Sequence, residues 1–255
     1  MRSYALELIE RGRRVDGRGF EEFREIEIIP NIVKKAEGSA FVRFGNTKVI
    51  AGVKMEITTP FADTPDEGTL KVSAEFTPLA SPDFESGPPG EDATELARIV
   101  DRGIRESEMI ELKKLYIEEE KVWGAFVDIH IINNDGNLVD CSALASVVAL
   151  MTTKIPKLEN DKILRGVFER PLPVVQKPVT VTVCKVGDKF LLDPNLEEEE
   201  VLDAKLVIAI REDEKICAIQ KQGSKGITIK DVESAIDIAL EKSKELRKLI
   251  RGNTR

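Results

Sequence analysis

Three arginines at helical spacing, Arg98, Arg102 and Arg105, are the residues whose type and pattern first indicate chemistry in this chain. At about 100° per residue, positions i, i+4 and i+7 lie on one side of a helix, so the three guanidinium groups can face one ligand. Each guanidinium presents paired N–H donors that match phosphate oxygens. The stripe therefore predicts a phosphate-binding surface. Its alternative is a solvated helix face in which Glu95 and Asp101 pair with the arginines.

The segment that must position these arginines, residues 92–112, has the pattern of an amphipathic helix. Asp92, followed three residues later by Glu95, predicts a capping box at the helix start. Apolar and small residues recur at helical spacing on the opposite side and predict the buried face. They are Leu96, Ile99, Val100, Gly103, Ile104 and Ser107.

A run of carboxylates at residues 193–205, between two predicted strands, is the second candidate site. Asp193, Glu199 and Asp203 could together bind Mg²⁺ or exchange protons, although acidic runs of this kind are usually solvated loops. Lys205 stands where a converging carboxylate would be expected. This lysine weakens the metal interpretation.

The third candidate is the turn at residues 134–140, which runs into a predicted helix. Helix N-termini bind phosphate when a glycine-rich turn offers backbone N–H groups. Here Asn137, Leu138, Val139 and Asp140 follow the turn, and such bulky or acidic side chains suit a phosphate poorly. The sequence favours an ordinary strand–turn–helix connection.

Composition sets limits on the class of function. The chain has 255 residues, 42% hydrophobic and 33% charged, which indicates a globular protein with a sizeable core. A net charge of −8 argues against a free-standing nucleic-acid binder that relies on overall charge. Any RNA contact must therefore come from a local patch or from a surface shared with a more basic partner.

Few residues are suited to metal or redox chemistry. The single histidine, His130, excludes multi-histidine metal sites and makes a histidine-based triad a poor hypothesis. Cys141, Cys184 and Cys217 are far apart and read as reduced, small apolar residues of a cytosolic protein. Residues 1–10 predict an amphipathic helix and not a signal peptide, and no apolar run approaches the ~20 residues of a membrane span.

The remaining pattern predicts strands followed by a helix, twice. Strands are expected at 24–29, 39–44, 47–57, 69–77 and 125–132, then at 179–185, 189–192, 204–211 and 215–220, with helices at 140–153 and 229–250. The prediction is an α+β fold of mixed sheets packed with helices. Its halves are residues 1–165 and 178–255, joined through the proline-containing connector 154–177 into one globular unit.

Several of these features, in this order, resemble the ribonuclease PH family over about residues 10–250. They are the signature Arg14-Val-Asp-Gly-Arg18 followed by Arg24, the hairpin at 45–50, the helix at 95–107 and the segment at 192–204. The resemblance implies a duplicated βαβα-type fold, similar to domain 2 of ribosomal protein S5. It also implies RNA degradation from the 3′ to the 5′ end by phosphorolysis.

The chain departs from the catalytic members of that family at two places. They carry two metal or acid/base aspartates six residues apart, where this chain has Glu199 and Lys205. They also hold phosphate in a Gly-Ser-Arg or Gly-Thr-Arg turn, where this chain has Asn137, Leu138 and Val139. Within the family it therefore resembles the non-catalytic ring subunit of the archaeal exosome, which implies no catalytic residue, no metal site and no cofactor.

That resemblance also implies partners and a role for the arginine helix. A catalytic ribonuclease PH-like subunit would complete a hetero-hexamer, a trimer of heterodimers, with RNA-binding cap subunits and single-stranded RNA, in the cytoplasm and away from membranes. Arg98, Arg102 and Arg105 would bind RNA, although Asp101 could hold Arg105 instead.

Two other functions stay open at this stage. The chain could be a self-sufficient metal-dependent nuclease that uses Asp193, Glu199 and Asp203. It could also be a structural RNA-binding module.

Overall fold

Two β-sheets enclose a layer of helices in the computed structural model of the chain, which describes residues 4–253. The larger sheet has the order β1-β2-β3-β6-β4, and β5 pairs with β6. Only β4 runs parallel to its neighbour, β6, among these described strands. Its members are β1 (Ile26–Pro30), β2 (Gly38–Phe44), β3 (Thr47–Thr58), β4 (Thr69–Glu75), β5 (Tyr116–Glu118) and β6 (Lys121–Asn133).

The smaller sheet is antiparallel throughout, in the order β10-β9-β11-β12. Between the two sheets in sequence, β7 and β8 form a separate hairpin. These strands are β7 (Lys154–Glu159), β8 (Lys162–Pro171), β9 (Val179–Val186), β10 (Lys189–Leu192), β11 (Ala204–Ile210) and β12 (Ile216–Gln222).

The β7–β8 hairpin occupies most of the segment that the sequence predicts as a proline-containing connector. Proline cannot donate to a ladder hydrogen bond, so it is expected at a bulge or a strand end. Pro156 lies where the register between the two strands shifts, and Pro171 is the last residue of β8. Prolines at these two places leave the hairpin intact.

Helices α2 (Glu91–Glu106), α3 (Leu138–Thr152) and α5 (Ile229–Asn253) form the middle layer, because each of them contacts both sheets. Helix α3 has no polar face and is buried almost throughout, as expected for a helix covered on all sides. The helices are α1 (Tyr4–Glu10), α2 (Glu91–Glu106), α3 (Leu138–Thr152), α4 (Leu196–Glu199) and α5 (Ile229–Asn253), with a 3₁₀ turn at Leu112–Leu115.

Most elements lie within a few residues of their predicted positions, and the predicted buried face of α2 is confirmed. For the predicted helix at 1–10, residues 1–3 lie outside the described part of the chain. The predicted hairpin at Gly45 is confirmed, since Phe44 pairs with Thr47 across it. Among residues 4–253 no helix combines the length and apolarity needed to cross a bilayer.

The predicted capping box of α2 is wrong. The helix begins at Glu91, and Gly90 is its N-cap without a side-chain hydrogen bond. Asp92 therefore lies in the first turn, where its charge still suits the positive end of the helix dipole. Glu95 does not fold back to cap the helix, because its Oε1 atom accepts hydrogen bonds from the Gln220 and Gln222 amides of β12.

Candidate functional site

The arginine stripe on α2 divides into two parts with different surroundings. All three arginines are exposed, opposite the buried face of the helix. Arg105 donates two hydrogen bonds to the carboxylate of Asp101, at 3.1 and 2.8 Å, and a third to the carbonyl oxygen of Leu70 at 2.9 Å. Within the described residues, the side chains of Arg98 and Arg102 make no hydrogen bond or ion pair, so their guanidinium groups are free to bind a ligand.

The two free arginines line an open groove of about 720 Å³. Its walls come from α2, from the residues that lead into it and from β12, and they comprise Pro89, Gly90, Glu91, Thr94, Glu95, Arg98, Arg102 and Gln220. The predicted pair between Glu95 and Arg98 is absent, and the Oε1 atom of Glu95 instead accepts hydrogen bonds from the Gln220 and Gln222 amides. The interpretation of the stripe as a face of paired charges thus holds for Arg105 alone.

Three residues from the two departures identified in the sequence meet in space, and we call them the 137/199/205 cluster after Asn137, Glu199 and Lys205. The Oε1 atom of Glu199 accepts a hydrogen bond from the backbone N–H of Asn137 at 3.1 Å and lies 3.7 Å from the Lys205 ammonium. One oxygen of this carboxylate is therefore shared by two groups of this chain. About a quarter of the Glu199 and Lys205 side chains remains exposed.

The turn before α3 is shaped for a structural purpose. Gly136 has a φ of 81°, and a Cβ atom there would lie 2.5 Å from the carbonyl oxygen of Pro194. Asn137, also left-handed at φ 54°, is the N-cap of α3 and is buried. Its side-chain amide donates to Asp193 at 2.9 Å and to Asp140 at 3.2 Å. The predicted strand–turn–helix connection is confirmed.

A cavity of about 260 Å³ lies between α2 and the 137/199/205 cluster. Half of its lining residues are apolar or aromatic, and the other half are polar or charged. Its lining residues are Phe76, Phe84, Asp92, Glu95, Leu96, Ile99, Asn134, Leu138, Val139, Glu199, Lys205 and Gln222. Glu95 lines both this cavity and the arginine groove, so the two adjoin along α2.

The N-terminal signature arginines act inside the fold, which sequence reasoning missed. Arg14 is buried and donates to the buried carboxylate of Glu198, with Nε to Oε1 at 2.9 Å. The same guanidinium donates to the carbonyl oxygens of Leu192 and Asp193 at 2.9 and 3.0 Å. One side chain thereby ties the start of the chain to the segment between β10 and β11.

Asp193 accepts a second group of arginine hydrogen bonds. Its carboxylate is fully buried. It accepts hydrogen bonds from the backbone N–H and the guanidinium of Arg24 at 2.7 to 2.9 Å, and one from the guanidinium of Arg18 at 3.2 Å. Burial would raise the pKa of Asp193, but the hydrogen bonds and charge of Arg24 outweigh it and leave that pKa below its usual value. The hypothesis of a solvated acidic loop is therefore wrong for Asp193 and Glu198.

These contacts bear on the hypothesis that Asp193, Glu199 and Asp203 form one metal site. Asp193 is held by arginines, Glu199 by the 137/199/205 cluster, and Asp203 by the Gly187 N–H at 2.8 Å and Lys225 at 2.6 Å. Over residues 4–253, no group of three or more histidine, cysteine or carboxylate side chains has the arrangement of a metal site. The geometry gives these three carboxylates separate, internal partners.

Asp140 is a buried titratable group behind the same turn. It accepts hydrogen bonds from the Thr182 backbone N–H at 3.0 Å and hydroxyl at 2.7 Å, and from Asn137. Burial raises the pKa of Asp140 to about 7, while those hydrogen bonds oppose the rise.

His130 lies on the opposite side of the large sheet from this helix layer, half-exposed, with its Nδ1 atom 3.4 Å from Glu75.

Comparisons with known proteins place this geometry in a family. Residues 22–156 match the 3′ exoribonuclease family, domain 1, and residues 177–242 match its domain 2. The exosome complex component Rrp42 of Thermococcus gammatolerans is 48% identical over 98% of this chain and 93% of its own. Its counterpart in Archaeoglobus fulgidus is 50% identical over 96% and 94%. A solved structure described as the A. fulgidus exosome with RNA bound to the active site contains a chain with a TM-score of 0.90, 49% identity and coverage of 96% and 95%.

Proposed function

Because this chain belongs to the 3′ exoribonuclease family typified by ribonuclease PH, we propose that it is the non-catalytic ring subunit of an archaeal exosome. In that assembly it supports 3′-to-5′ phosphorolysis by a catalytic homologue and binds the RNA strand. The observation that carries the proposal is the 137/199/205 cluster, in which both departures from the catalytic pattern lie together and bind each other.

The chemistry of that cluster explains why the chain itself is non-catalytic. Phosphorolysis needs a placed phosphate anion and groups that stabilise charge as the phosphodiester bond breaks. Lys205 is a cation with no lone pair when charged, so it can neither bind Mg²⁺ nor act as a carboxylate acid or base. The N–H of Asn137 already donates to Glu199, and the adjoining Leu138 and Val139 offer no side-chain donor to an anion.

The proposed RNA contact rests on Arg98 and Arg102. Both are exposed, both lack an internal partner within the described residues, and both line the same open groove. Two guanidiniums one helical turn apart suit successive phosphates of a single strand. The acidity of the chain is no obstacle to this role, because a surface shared with a more basic catalytic subunit would supply the remaining positive charge.

The proposed partners are a catalytic ribonuclease PH-like subunit in a trimer of heterodimers and RNA-binding cap subunits. Exposed apolar side chains on the β7–β8 hairpin and the neighbouring β5 support burial against other chains: Val167 and Phe168 are 50% and 43% exposed, and Tyr116 is 44% exposed. Such burial links the stability of the chain to the concentration of its partner.

The test is reconstitution with a catalytic homologue. The chain alone should release no nucleoside diphosphate from oligoadenylate in phosphate buffer. Mixed with the homologue, it should form a complex with the mass of a hetero-hexamer and melt at a higher temperature. Phosphorolysis by the purified chain alone at the rate of a catalytic member, or a melting temperature indifferent to the homologue, would contradict the proposal.

A further inference from the structure

We propose that the cavity between α2 and the 137/199/205 cluster binds one unstacked nucleobase of the RNA strand that Arg98 and Arg102 hold. The inference rests on the proposed function and adds a second, uncharged contact to it. The cavity and the arginine groove adjoin along α2, since Glu95 lines both. A strand whose phosphates contact Arg98 and Arg102 therefore passes the mouth of the cavity.

The size of the cavity suits a single flat ring system. Its volume of about 260 Å³ lies just below the ~300–1,000 Å³ typical of sites for drug-sized ligands. An entire nucleotide with its ribose and phosphate is a larger and charged group. A base that turns away from the strand is the part of RNA that can enter while the backbone stays in the groove.

Charge around the cavity also selects a base over a phosphate. Asp92, Glu95 and Glu199 line it, and Lys205 is the one cation among the lining residues. Three carboxylates against one ammonium disfavour a second anion, whereas a neutral heterocycle meets no such repulsion. Phosphates remain with the arginines outside, and the cavity accepts an uncharged group.

Aromatic side chains supply the surface on which a base stacks. Phe76 and Phe84 both line the cavity and stack on each other, with ring centroids 4.6 Å apart and planes at 30°. Leu138 and Val139 add apolar wall at the start of α3. Proteins that bind single-stranded RNA use such aromatic platforms, and stacking tolerates any base because every base has a π-face.

Gln222 supplies a hydrogen-bond acceptor that lacks a partner. Its Nε2 atom donates to the Glu95 carboxylate at 2.7 Å, which fixes the orientation of the amide because a carboxylate only accepts. The Oε1 atom is thereby left buried and unpaired within the described structure. All four RNA bases carry at least one N–H group, so a base that enters the cavity can satisfy this acceptor after a small rotation of the side chain.

The experiment uses the ring assembled from this chain and a catalytic homologue, without phosphate so that RNA is not degraded. Fluorescence anisotropy across a salt series measures affinity for oligoadenylate and for an abasic ribose-phosphate oligomer of the same length. The variants are Phe84→Leu, which removes the flat ring, and Leu138→Trp, which fills the cavity. Phe61→Leu is the matched control, since Phe61 is exposed and lines neither the groove nor the cavity.

Both cavity variants should weaken oligoadenylate binding by about 5- to 100-fold, leave abasic binding unchanged, and keep the log–log salt slope of the unmodified ring. Phe61→Leu should behave as the unmodified ring. Equal affinities for Phe84→Leu, Leu138→Trp and the control, or equal loss on abasic RNA, would overturn the base pocket. If either result is obtained while Arg98→Ala still weakens RNA binding, the base pocket is rejected and the proposed function is retained. If Arg98→Ala also has no effect, RNA does not bind this face and both proposals fail.

Discussion

Replacing the arginines of α2 one at a time tests the RNA-binding proposal most directly, because the helix supplies its own control. Arg98→Ala and Arg102→Ala each remove a guanidinium that has no internal partner within the described residues. Arg105→Ala removes one that Asp101 and the Leu70 carbonyl already hold. All three side chains lie opposite the buried face of the helix, so truncation leaves the core intact.

The expected change in the salt dependence of RNA binding follows from the number of guanidinium groups that lack an internal partner. Each phosphate contact on a single strand contributes about 0.7 units to the log–log slope of affinity against salt concentration. Arg98→Ala or Arg102→Ala should therefore make the slope shallower by about 0.7 units, and the double variant by about 1.4. Over a fourfold rise in salt, the double variant should lose about seven-fold less affinity than the unmodified ring. Arg105→Ala should change the slope much less.

The assay begins with assembly of each variant into a ring with the catalytic homologue and confirmation of its mass. Affinity for oligoadenylate is then measured from 50 to 200 mM salt without phosphate, and degradation is measured with phosphate. Slower degradation with a shallower salt slope, and little change in base preference, is the expected result for Arg98 and Arg102.

Intact double-variant rings that bind and degrade RNA like the unmodified ring at every salt concentration would refute the reasoning. The free arginines would then be a solvated helix face after all. A larger effect from Arg105→Ala than from Arg98→Ala would also refute it, because the paired arginine should matter less than the free one.

Three further predictions concern the interior and the 137/199/205 cluster. Lys205→Asp should leave the isolated chain unable to release nucleoside diphosphate from oligoadenylate, because no anion-binding turn is restored; release at a catalytic member's rate would contradict this. Arg14→Leu should cost about 3–5 kcal/mol in urea denaturation by leaving Glu198 buried without its partner, and adding Glu198→Gln should recover part of that loss. Since burial raises the pKa of Asp140 to about 7, its folded-state proton stabilises the protein fully below the unfolded pKa near 4, and this stability is lost as pH rises through 7. Asp140→Asn should therefore remove a pH-dependent loss of about 2 kcal/mol between pH 5 and 8, and identical pH profiles for both proteins would show that Asp140 is ionised throughout.

The elements and the class of fold were predictable from the sequence because they depend on local periodicity. Alternating apolar residues placed β9 and β11, and helical spacing placed the buried face of α2, within a residue or two. The capping box was not predictable, because the fate of Glu95 depends on two glutamines of β12 that are more than 120 residues away in sequence.

The candidate site was predictable in its residues but not in its contacts. The sequence identified Asn137, Glu199 and Lys205 as departures from the catalytic pattern, yet their direct association needs the fold to bring α3, α4 and β11 together. It likewise gave no means to separate Arg105 from the other two arginines beyond the spacing of Asp101. The interior role of Arg14 was missed, although a buried carboxylate such as Glu198 needs a cation somewhere in the chain.

The unequal numbers of acidic and basic residues make the two free arginines more informative than their charge alone suggests. The chain has 46 acidic side chains and 38 lysines and arginines, so carboxylates outnumber the cations that could pair with them. Arg14, Arg18 and Arg24 each pair with a carboxylate inside the fold, as Arg105 does on α2. Arg98 and Arg102 lie on the same helix as Glu95 and Asp101, yet Glu95 bonds to the amides of β12 and Asp101 bonds to Arg105. The amides of β12 and the neighbouring arginine thus keep two guanidiniums available on an acidic protein, which is the arrangement that binding an external polyanion requires.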